Sequence, residues 1–272
     1  MRYVYFTKTL QKLSIAELIE FCKETGIGGV DLAVRPGFPV TPDNAKKTLP
    51  EAAKAFRAAK LEIGLVSTPT TLTNPESPAA KAIFEACQLA EVPAVKIGYF
   101  GYKPPYEGRL KEARKHLAGF AALAARTKVK ACYHTHSGAS MGNNAAGLRA
   151  MLADLDPHHV GVFLDTGHVA INGGPVRMEA DMIRAWLSLV AIKDMAWTKR
   201  GASWAVDVVP VGDGIVRWAE VGKALADCKF KGTVSIHGEY DAKDLDDRKR
   251  LAKAELRAER HIIGLDQYGF GN

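Results

Sequence analysis

The sequence predicts a single (β/α)8 TIM barrel, and three observations favour this fold class. Short apolar runs typical of buried strands alternate about eight times with helical patterns along the chain. No linker, low-complexity stretch or change in composition interrupts this alternation. The length of 272 residues suits one such barrel, which typically has about 250 residues. We therefore expect residues 1–272 to form a single TIM-barrel domain.

A doubly wound parallel sheet is the main alternative, because it produces the same alternation of strands and helices. Nucleotide-binding sheets of that kind carry a glycine-rich turn after a strand. Neither a GxGxxG sequence nor a Walker A sequence occurs anywhere in the chain. The barrel is therefore the better interpretation.

Each predicted strand is a short apolar run that ends at a turn or at polar residues. The run 160–164 is uninterrupted and is followed by Asp165-Thr166-Gly167-His168, as expected where a strand is buried on both faces. The eight strands are expected at 3–6, 29–34, 62–67, 94–98, 129–133, 160–165, at the end of the unit 178–194, and at 233–237.

The predicted helices are marked by capping residues and apolar stripes. Ser14-Ile15-Ala16-Glu17 has the form of a capping box, and its helix is expected to end at Gly26. Pro50 is expected to open the second helix, because proline is favoured in a first turn. Segment 197–214 holds two tryptophans and a Gly-Asp-Gly sequence and is interpreted as a lid or binding loop. Further helices are expected near 76–90, 109–126, 144–152, 218–227 and 246–263.

The composition indicates an ordinary globular protein, with 47% hydrophobic and 25% charged residues. The formal net charge is +7, but the basic residues are scattered. They therefore indicate no nucleic-acid partner and only a weak preference for an anionic small molecule. The four cysteines form no CxxC pair, so free buried thiols are expected.

No apolar stretch is long enough to cross a bilayer, and the N-terminal residues show no signal-peptide pattern. We therefore expect a cytoplasmic protein without a membrane partner. Barrels of this kind often associate into homo-oligomers, and no stretch of the sequence identifies an interface.

Polar side chains follow four consecutive predicted strands, at the ends where TIM barrels carry their chemistry. Residues two apart share a face of a strand, so such pairs are expected to point together into the barrel mouth. Imidazole and carboxylate together suit Zn, Mn, Fe or Co better than Ca. The residues concerned are His134 and His136, Asp165 and His168, Lys193, and His237 with Glu239.

Each of these residues also has an ordinary structural explanation. Asp165 could cap the next segment, His136 could be structural, and Lys193 could pair with its neighbour Asp194. His134, Asp165 and His237 together are harder to explain in that way. Three strands would have to place polar groups at one mouth by chance.

Several motifs resemble those of the xylose-isomerase-like superfamily of sugar phosphate isomerases and epimerases, and the resemblance covers essentially the whole chain. The resemblance implies a TIM barrel that acts on a small carbohydrate and does not identify which one. The matching stretches are Gly28-Gly29-Val30-Asp31-Leu32, Phe163-Leu164-Asp165-Thr166-Gly167-His168, Ile192-Lys193-Asp194, Val209-Pro210-Val211-Gly212-Asp213-Gly214 and Ser235-Ile236-His237-Gly238-Glu239-Tyr240.

Members of that superfamily typically bind one divalent metal through Glu, Asp, His and Glu at the ends of strands five to eight, and the two glutamates also move protons. This sequence matches that set only at Asp165. His134 and His237 stand at the two glutamate positions, and Ala191 stands at the histidine position. Glu239 restores a carboxylate two residues beyond His237. The resemblance thus implies either a rebuilt His/Asp/His site or a barrel that has lost its metal.

The leading interpretation is a metal-dependent isomerase or epimerase of a sugar or sugar-like hydroxy-ketone that works through an enediolate intermediate. His134, Asp165 and His237 would hold one divalent metal, either Mn, Zn, Co or Fe. Glu239 would remove the proton next to the carbonyl, and His168 or a water would return it. Lys193 would polarise the carbonyl or bind an anionic group. Substrate contacts are expected from His136, Tyr99, Trp197 and Asp31.

Three other functions fit parts of this pattern. A lyase or dehydratase of a keto-sugar would use the same apparatus, because β-elimination begins with the same proton abstraction. A non-catalytic sugar-binding barrel would need no metal. A nuclease of the endonuclease IV type would need histidines from early strands, and this chain has none before His116.

Overall fold

The computed structural model describes residues 1–267, with side chains except those of residues 259 and 262–267. Its strands are β1 (Arg2–Phe6), β2 (Gly29–Ala33), β3 (Glu62–Ser67), β4 (Ala94–Lys96), β5 (Lys130–His134), β6 (Val160–Asp165), β7 (Leu187–Ile192), β8 (Asp194–Arg200), β9 (Ser203–Val209) and β10 (Thr233–Ile236). Eight of them close into a barrel in the order β1-β10-β7-β6-β5-β4-β3-β2, with parallel pairing throughout. The predicted TIM barrel is confirmed.

Helices connect the barrel strands and cover them. They are α1 (Ile15–Thr25), α2 (Ala45–Ala58), α3 (Pro78–Ala90), α4 (Tyr106–Thr127), α5 (Ala145–Leu152), α6 (Thr166–Ile171), α7 (Val176–Met182), α8 (Trp218–Asp227) and α9 (Leu245–Gln267). None of the described helices is both long enough and apolar enough to cross a membrane.

The helix boundaries follow local chemistry, with one correction. The capping box at Ser14 is present in both directions, and α1 ends at Gly26, whose φ of 74° requires the left-handed region. Pro50, however, lies inside α2 rather than at its start. One turn of helix from Ala45 precedes it, and Asn44 exchanges hydrogen bonds with Thr41 before that turn.

The barrel interior is filled by side chains from successive strands, as the alternation of strand residues requires. Phe163 lies at the top of this interior and supports the residues above it: its ring contacts those of His134 and His237 edge-on, at centroid distances of 4.7 and 5.6 Å. The buried interior cluster is Val4, Leu65, Ala94, Cys132, Phe163, Leu189 and Ala191.

The segment predicted as a lid or binding loop forms a β-hairpin rather than a loop at residues 197–209, and a role as a lid stays a prediction. Strands β8 and β9 pair antiparallel from Asp194 opposite Val209 to Arg200 opposite Ser203, and Gly201 supplies the positive φ of 62° at the turn. The base of the hairpin packs on α6. A Cβ added to Gly167 would lie 2.7 Å from the Met195 side chain, so this close approach requires glycine.

Candidate active site

The carboxyl ends of the barrel strands surround a cavity of about 80 Å³. A larger cavity of about 660 Å³ lies beside α6, α7 and α8, but no histidine lines it. Histidines converge only at the smaller of these two cavities, which is therefore the candidate site. Its lining residues are Phe6, Lys8, Arg35, Ser67, Thr70, Lys96, Tyr99, His134, His136, His168, Lys193, His237 and Glu239.

A histidine–aspartate–histidine cluster lies at the base of this cavity. His134 Nε2 is 3.4 Å from Asp165 Oδ2, and His237 Nδ1 is 3.8 Å from the same oxygen. None of these three atoms has a hydrogen-bond partner within the described residues, although all three side chains are buried. Leaving buried polar atoms unpaired costs about 1–3 kcal/mol each. The arrangement therefore favours a bound group.

The spacing and chemistry of these atoms fit a divalent cation. Two ligands about 2.1 Å from a tetrahedral ion lie roughly 3.4 Å apart, close to the separations measured here. Two imidazole nitrogens and one carboxylate oxygen are ligands that zinc and similar transition metals accept. His134, Asp165 and His237 could therefore hold one metal ion.

Two further side chains orient the histidines. The Tyr99 hydroxyl lies 3.2 Å from His134 Nδ1, which leaves Nε2 directed at Asp165. Asp31 Oδ2 lies 3.5 Å from His237 Nε2 and accepts a 3.0 Å hydrogen bond from the Ser235 hydroxyl. Metal-binding histidines commonly carry such a partner on their second ring nitrogen. This arrangement supports the same interpretation of the cluster.

Asp165 performs two tasks with its two carboxylate oxygens. Oδ1 accepts the His168 backbone N–H at 2.9 Å and caps α6, as the structural explanation of this residue required. Oδ2 faces the cluster. Although burial alone would raise the pKa of Asp165, Lys193 and His168 hold that pKa well below its usual range, so the carboxylate is ionised.

Lys193 and Glu239 form the main ion pair of the site. Lys193 Nζ is 2.6 Å from Glu239 Oε1 and 3.5 Å from Asp165 Oδ2. Burial opposes both charges, but the two carboxylates raise the pKa of Lys193, and the Lys193 ammonium lowers the pKa of Glu239. Lys8 also pairs with Glu239 from the rim. Glu239 is therefore present as a carboxylate.

The side chain of Asp194, adjacent to Lys193, has a structural role. Asp194 Oδ2 accepts hydrogen bonds from the N–H groups of Gly212 and Gly214 and from the Trp218 indole. It thereby fixes the Gly-Asp-Gly turn beneath the hairpin. Lys193 and Asp194 point to different places and are not a salt-bridged pair.

The surroundings shift the pKa values of the two histidines of the cluster in opposite directions. Burial lowers the pKa of His134 well below its usual range, so this ring is neutral. Burial also opposes protonation of His237, but Asp31 and Glu239 raise its pKa. A divalent cation would therefore compete with protonation at His237.

His168 presents an N–H group to the cavity. The Ser137 backbone N–H lies 3.2 Å from His168 Nδ1 and can only donate, so Nδ1 is the unprotonated nitrogen and Nε2 carries the hydrogen. Burial lowers the pKa of His168 to about 4, which keeps the ring neutral at neutral pH. The His136 ring packs on His168 at a centroid distance of 4.2 Å.

The wall of the cavity opposite Lys193 and Glu239 is basic, and its residues Lys96 and Arg35 were not predicted from the sequence. Lys96 is the last residue of β4, is 3% exposed, and holds its ammonium 3.9 Å from the centre of the Tyr99 ring. Arg35 follows β2, donates through Nε to the Thr68 carbonyl at 3.1 Å, and stacks over Phe6. The available signal for Lys96 was one charged residue inside the apolar run 94–98.

Most of the predicted site residues come together at this mouth. Two predicted substrate contacts do not line the cavity. Asp31 is fully buried and its carboxylate faces His237 and Ser235, whereas Trp197 projects from β8 with 47% of its surface exposed. The predicted residues that do line the cavity are Tyr99, His134, His136, His168, Lys193, His237 and Glu239.

The closed parallel barrel and the polar cluster at its carboxyl end define a TIM-barrel protein with a candidate metal-dependent site. The sequence profile of the family described as xylose isomerase-like TIM barrel matches residues 19–261. The chain belongs to that family, as the resemblance implied.

Several solved structures share this fold. D-psicose 3-epimerase from Clostridium cellulolyticum H10, solved with D-tagatose, is 16% identical with a TM-score of 0.75 over 97% of this chain and 99% of that one. The IOLI protein with a binding zinc atom is 16% identical with a TM-score of 0.79 over 97% and 98%. The probable 3-DHS dehydratase AsbF from Bacillus anthracis is 16% identical with a TM-score of 0.71 over 95% and 98%. Identity at this level shows the fold alone.

One curated relative is similar in sequence. Inosose dehydratase of Lactiplantibacillus plantarum is 26% identical over 164 residues, which are 56% of this chain and 54% of the relative. The chain thus matches about half the length of this relative.

Proposed function

We propose that the protein is a metal-dependent isomerase or epimerase of a sugar or sugar-like hydroxy-ketone. The observation that carries the proposal is the convergence of three buried atoms without a hydrogen bond, His134 Nε2, Asp165 Oδ2 and His237 Nδ1, beside the Lys193–Glu239 pair. His134, Asp165 and His237 would hold one divalent cation, either Zn, Mn, Co or Fe. When bound, the cation supplies positive charge that favours an enediolate.

Glu239 is the proposed base. Its lowered pKa ensures that it is ionised, but a carboxylate held by two lysines is a weak base. Lys193 can resolve this conflict by donating to the substrate carbonyl oxygen instead of to Glu239. That exchange would polarise the carbonyl and raise the basicity of Glu239 in the same movement, so that proton removal begins only when substrate is present.

His168 would donate a hydrogen bond through Nε2–H to a substrate oxygen. Because this ring is neutral, its N–H stabilises developing negative charge without transferring a full proton. The proton would then return from Glu239 or through water. His136 and Tyr99, which line the cavity beside it, are proposed to position the substrate.

A dehydratase is the second candidate, favoured by the sequence similarity to inosose dehydratase. Elimination of water would start with the same proton abstraction by Glu239. The two reactions differ in their products, because isomerisation or epimerisation conserves mass and dehydration loses one water.

NMR in deuterated water tests the proposal. The metal-loaded protein would be incubated with D-tagatose, D-psicose, L-ribulose, inosose and 3-dehydroshikimate. Deuterium at the carbon next to the carbonyl, without loss of water, is the expected result for at least one keto-sugar. Loss of water would assign the dehydratase, and absence of exchange in all five compounds would favour a binding barrel.

A further inference from the structure

We propose that the substrate carries a carboxylate or phosphate group, and that Arg35 and Lys96 bind this group on the β2–β4 side of the cavity. This inference rests on the proposed function, because it adds a substrate class to the same site. It concerns residues that have no part in the acid–base and metal chemistry described above.

The distribution of charge around the cavity supports this assignment. Glu239 is the one carboxylate among the described residues that line the cavity, and both Lys193 and Lys8 already pair with it. The lining residues from β2, β3 and β4 and their following loops bring cations and hydroxyls but no acid. They are Arg35, Ser67, Thr70, Lys96 and Tyr99.

Lys96 forms no direct ion pair with a carboxylate among the described residues. Its ammonium lies over the Tyr99 ring, and the Asp31 and Glu239 carboxylates act on it only from beyond ion-pair distance. A cation–π contact offsets only part of the cost of burying an ammonium. A bound ligand anion would remove the remaining cost of burying the Lys96 ammonium.

Arg35 is a second cation on the same wall of the cavity as Lys96. Only its Nε is used by a protein oxygen, the Thr68 carbonyl, so the rest of its donor fork has no hydrogen-bond partner among the described residues. Burial and the Arg35 charge together lower the pKa of Lys96 to about 7. Two like charges held close together in a buried wall repel each other, and a bound oxyanion would convert that repulsion into attraction.

Lys193 provides the contrast within the same cavity. It is as buried as Lys96 but contacts two carboxylates, and its pKa is raised rather than lowered. The protein thus compensates one buried lysine internally and leaves the other for a ligand. An anionic group at Lys96 and Arg35 would place the remainder of the molecule towards Lys193, Glu239 and the histidine cluster.

Calorimetric titration with matched ligands tests the proposal. Inorganic phosphate would be used alone, followed by two pairs that differ in the anionic group: D-fructose with D-fructose 6-phosphate, and D-glucose with D-glucuronate. Each would be measured with and without EDTA, so that binding to a metal is separated from binding to the basic wall. We expect at least one anionic member to bind at least about tenfold tighter than its neutral partner, equivalent to about 1.4 kcal/mol.

Variants assign that preference to the basic wall. Arg35→Gln and Lys96→Met are each expected to reduce the anionic preference by about tenfold, whereas Arg35→Lys should retain most of it. Lys54→Gln, at an exposed lysine of α2, is the matched control and should change nothing. If Lys96→Met does not fold, as judged by circular dichroism, Arg35→Gln and Arg35→Lys decide the matter.

Asp165→Asn separates this proposal from the proposed function. It should abolish deuterium exchange and keep the anionic preference within about twofold, since Asp165 lies outside the basic wall. Equal affinity for neutral and anionic partners, or no binding of phosphate or of either anionic sugar, would overturn the anion site. So would an equal loss of preference in Lys54→Gln.

Discussion

The two sides of the barrel mouth bury positive charge in different ways. On the side built by β6, β7 and β10, Lys193 lies between Asp165 and Glu239. On the side built by β2 and β4, Arg35 and Lys96 form no direct ion pair with a carboxylate among the described residues. Balanced and unbalanced buried charge thus lie at different positions in the ring of strands. Balanced charge is suited to proton transfer, and unbalanced charge is suited to holding a ligand.

The largest effect is expected from removing the carboxylate of the balanced side. Glu239→Gln should lower kcat by about 10²- to 10⁴-fold, the usual contribution of a general base. Solvent deuterium exchange followed by NMR measures the loss, and affinity for anionic ligands serves as the control. Full activity in this variant on every substrate found would show that Glu239 is not the base.

Asp165→Asn should remove the shared oxygen of the cluster. Metal affinity is expected to fall by more than about 100-fold, because even outer-shell partners cost 10- to 100-fold. Titration of the metal-free protein with Zn²⁺ and Mn²⁺ provides the measurement. Unchanged affinity would place the metal elsewhere and leave Asp165 with its capping role alone.

Asp31→Asn tests whether a buried carboxylate orients His237 rather than touching substrate. Metal affinity should decrease by about 10- to 100-fold, since an amide weakens the hold on the His237 ring nitrogen. At saturating metal, KM should stay within about twofold of the unmodified protein, because Asp31 does not line the cavity. A large rise in KM with unchanged metal affinity would instead support the substrate contact predicted from the sequence.

Glu255 on α9 gives a pH-dependent prediction outside both sides of the mouth. Burial raises its pKa to about 7, although Tyr240, Arg248 and His237 oppose the shift. A raised folded-state pKa means that its stabilising contribution is complete below the ordinary value near 4.5 and is lost as pH rises through 7.

The unfolding equilibrium constant should therefore rise by up to about tenfold per pH unit between these values through this group. Urea unfolding of the protein and of Glu255→Gln from pH 4.5 to 8 measures the difference. The variant should have the flatter profile, and parallel profiles would contradict the assignment.

The smallest effect is expected at the hairpin. Trp197→Ala should change KM by less than about twofold, because surface substitutions are usually within 0.5 kcal/mol. Trp204→Ala, 63% exposed at the partner strand, is the matched variant. A tenfold rise in KM for Trp197→Ala alone would show that the hairpin closes over the substrate.

The barrel and the site residues on one side of its mouth were predictable from the alternation of side chains along the strands. Residues two apart at a strand end share a face, so the pairs ending at His136 and Glu239 were correctly expected to point into one cavity. The motif that ends at His168 likewise follows a fully buried strand. These predictions needed only local spacing and the known location of chemistry in TIM barrels.

The remaining features depend on depth and on tertiary context. Asp31 and the cluster face the same interior, but periodicity cannot tell that Asp31 lies behind His237. Lys96 is a single charged residue in an apolar run, and only the three-dimensional structure reveals that it forms no direct ion pair with a described carboxylate. The hairpin was missed because the alternation in 203–209 is weak and its turn depends on Gly201.

Anomalous scattering from a crystal grown with Zn²⁺ or Mn²⁺ tests most directly the claim that two histidines and one aspartate hold a cation at this mouth. If this claim is right, one strong peak will lie within bonding distance of His134 Nε2, Asp165 Oδ2 and His237 Nδ1. A peak that excludes these three atoms, or no peak at a metal concentration that supports turnover, would contradict it.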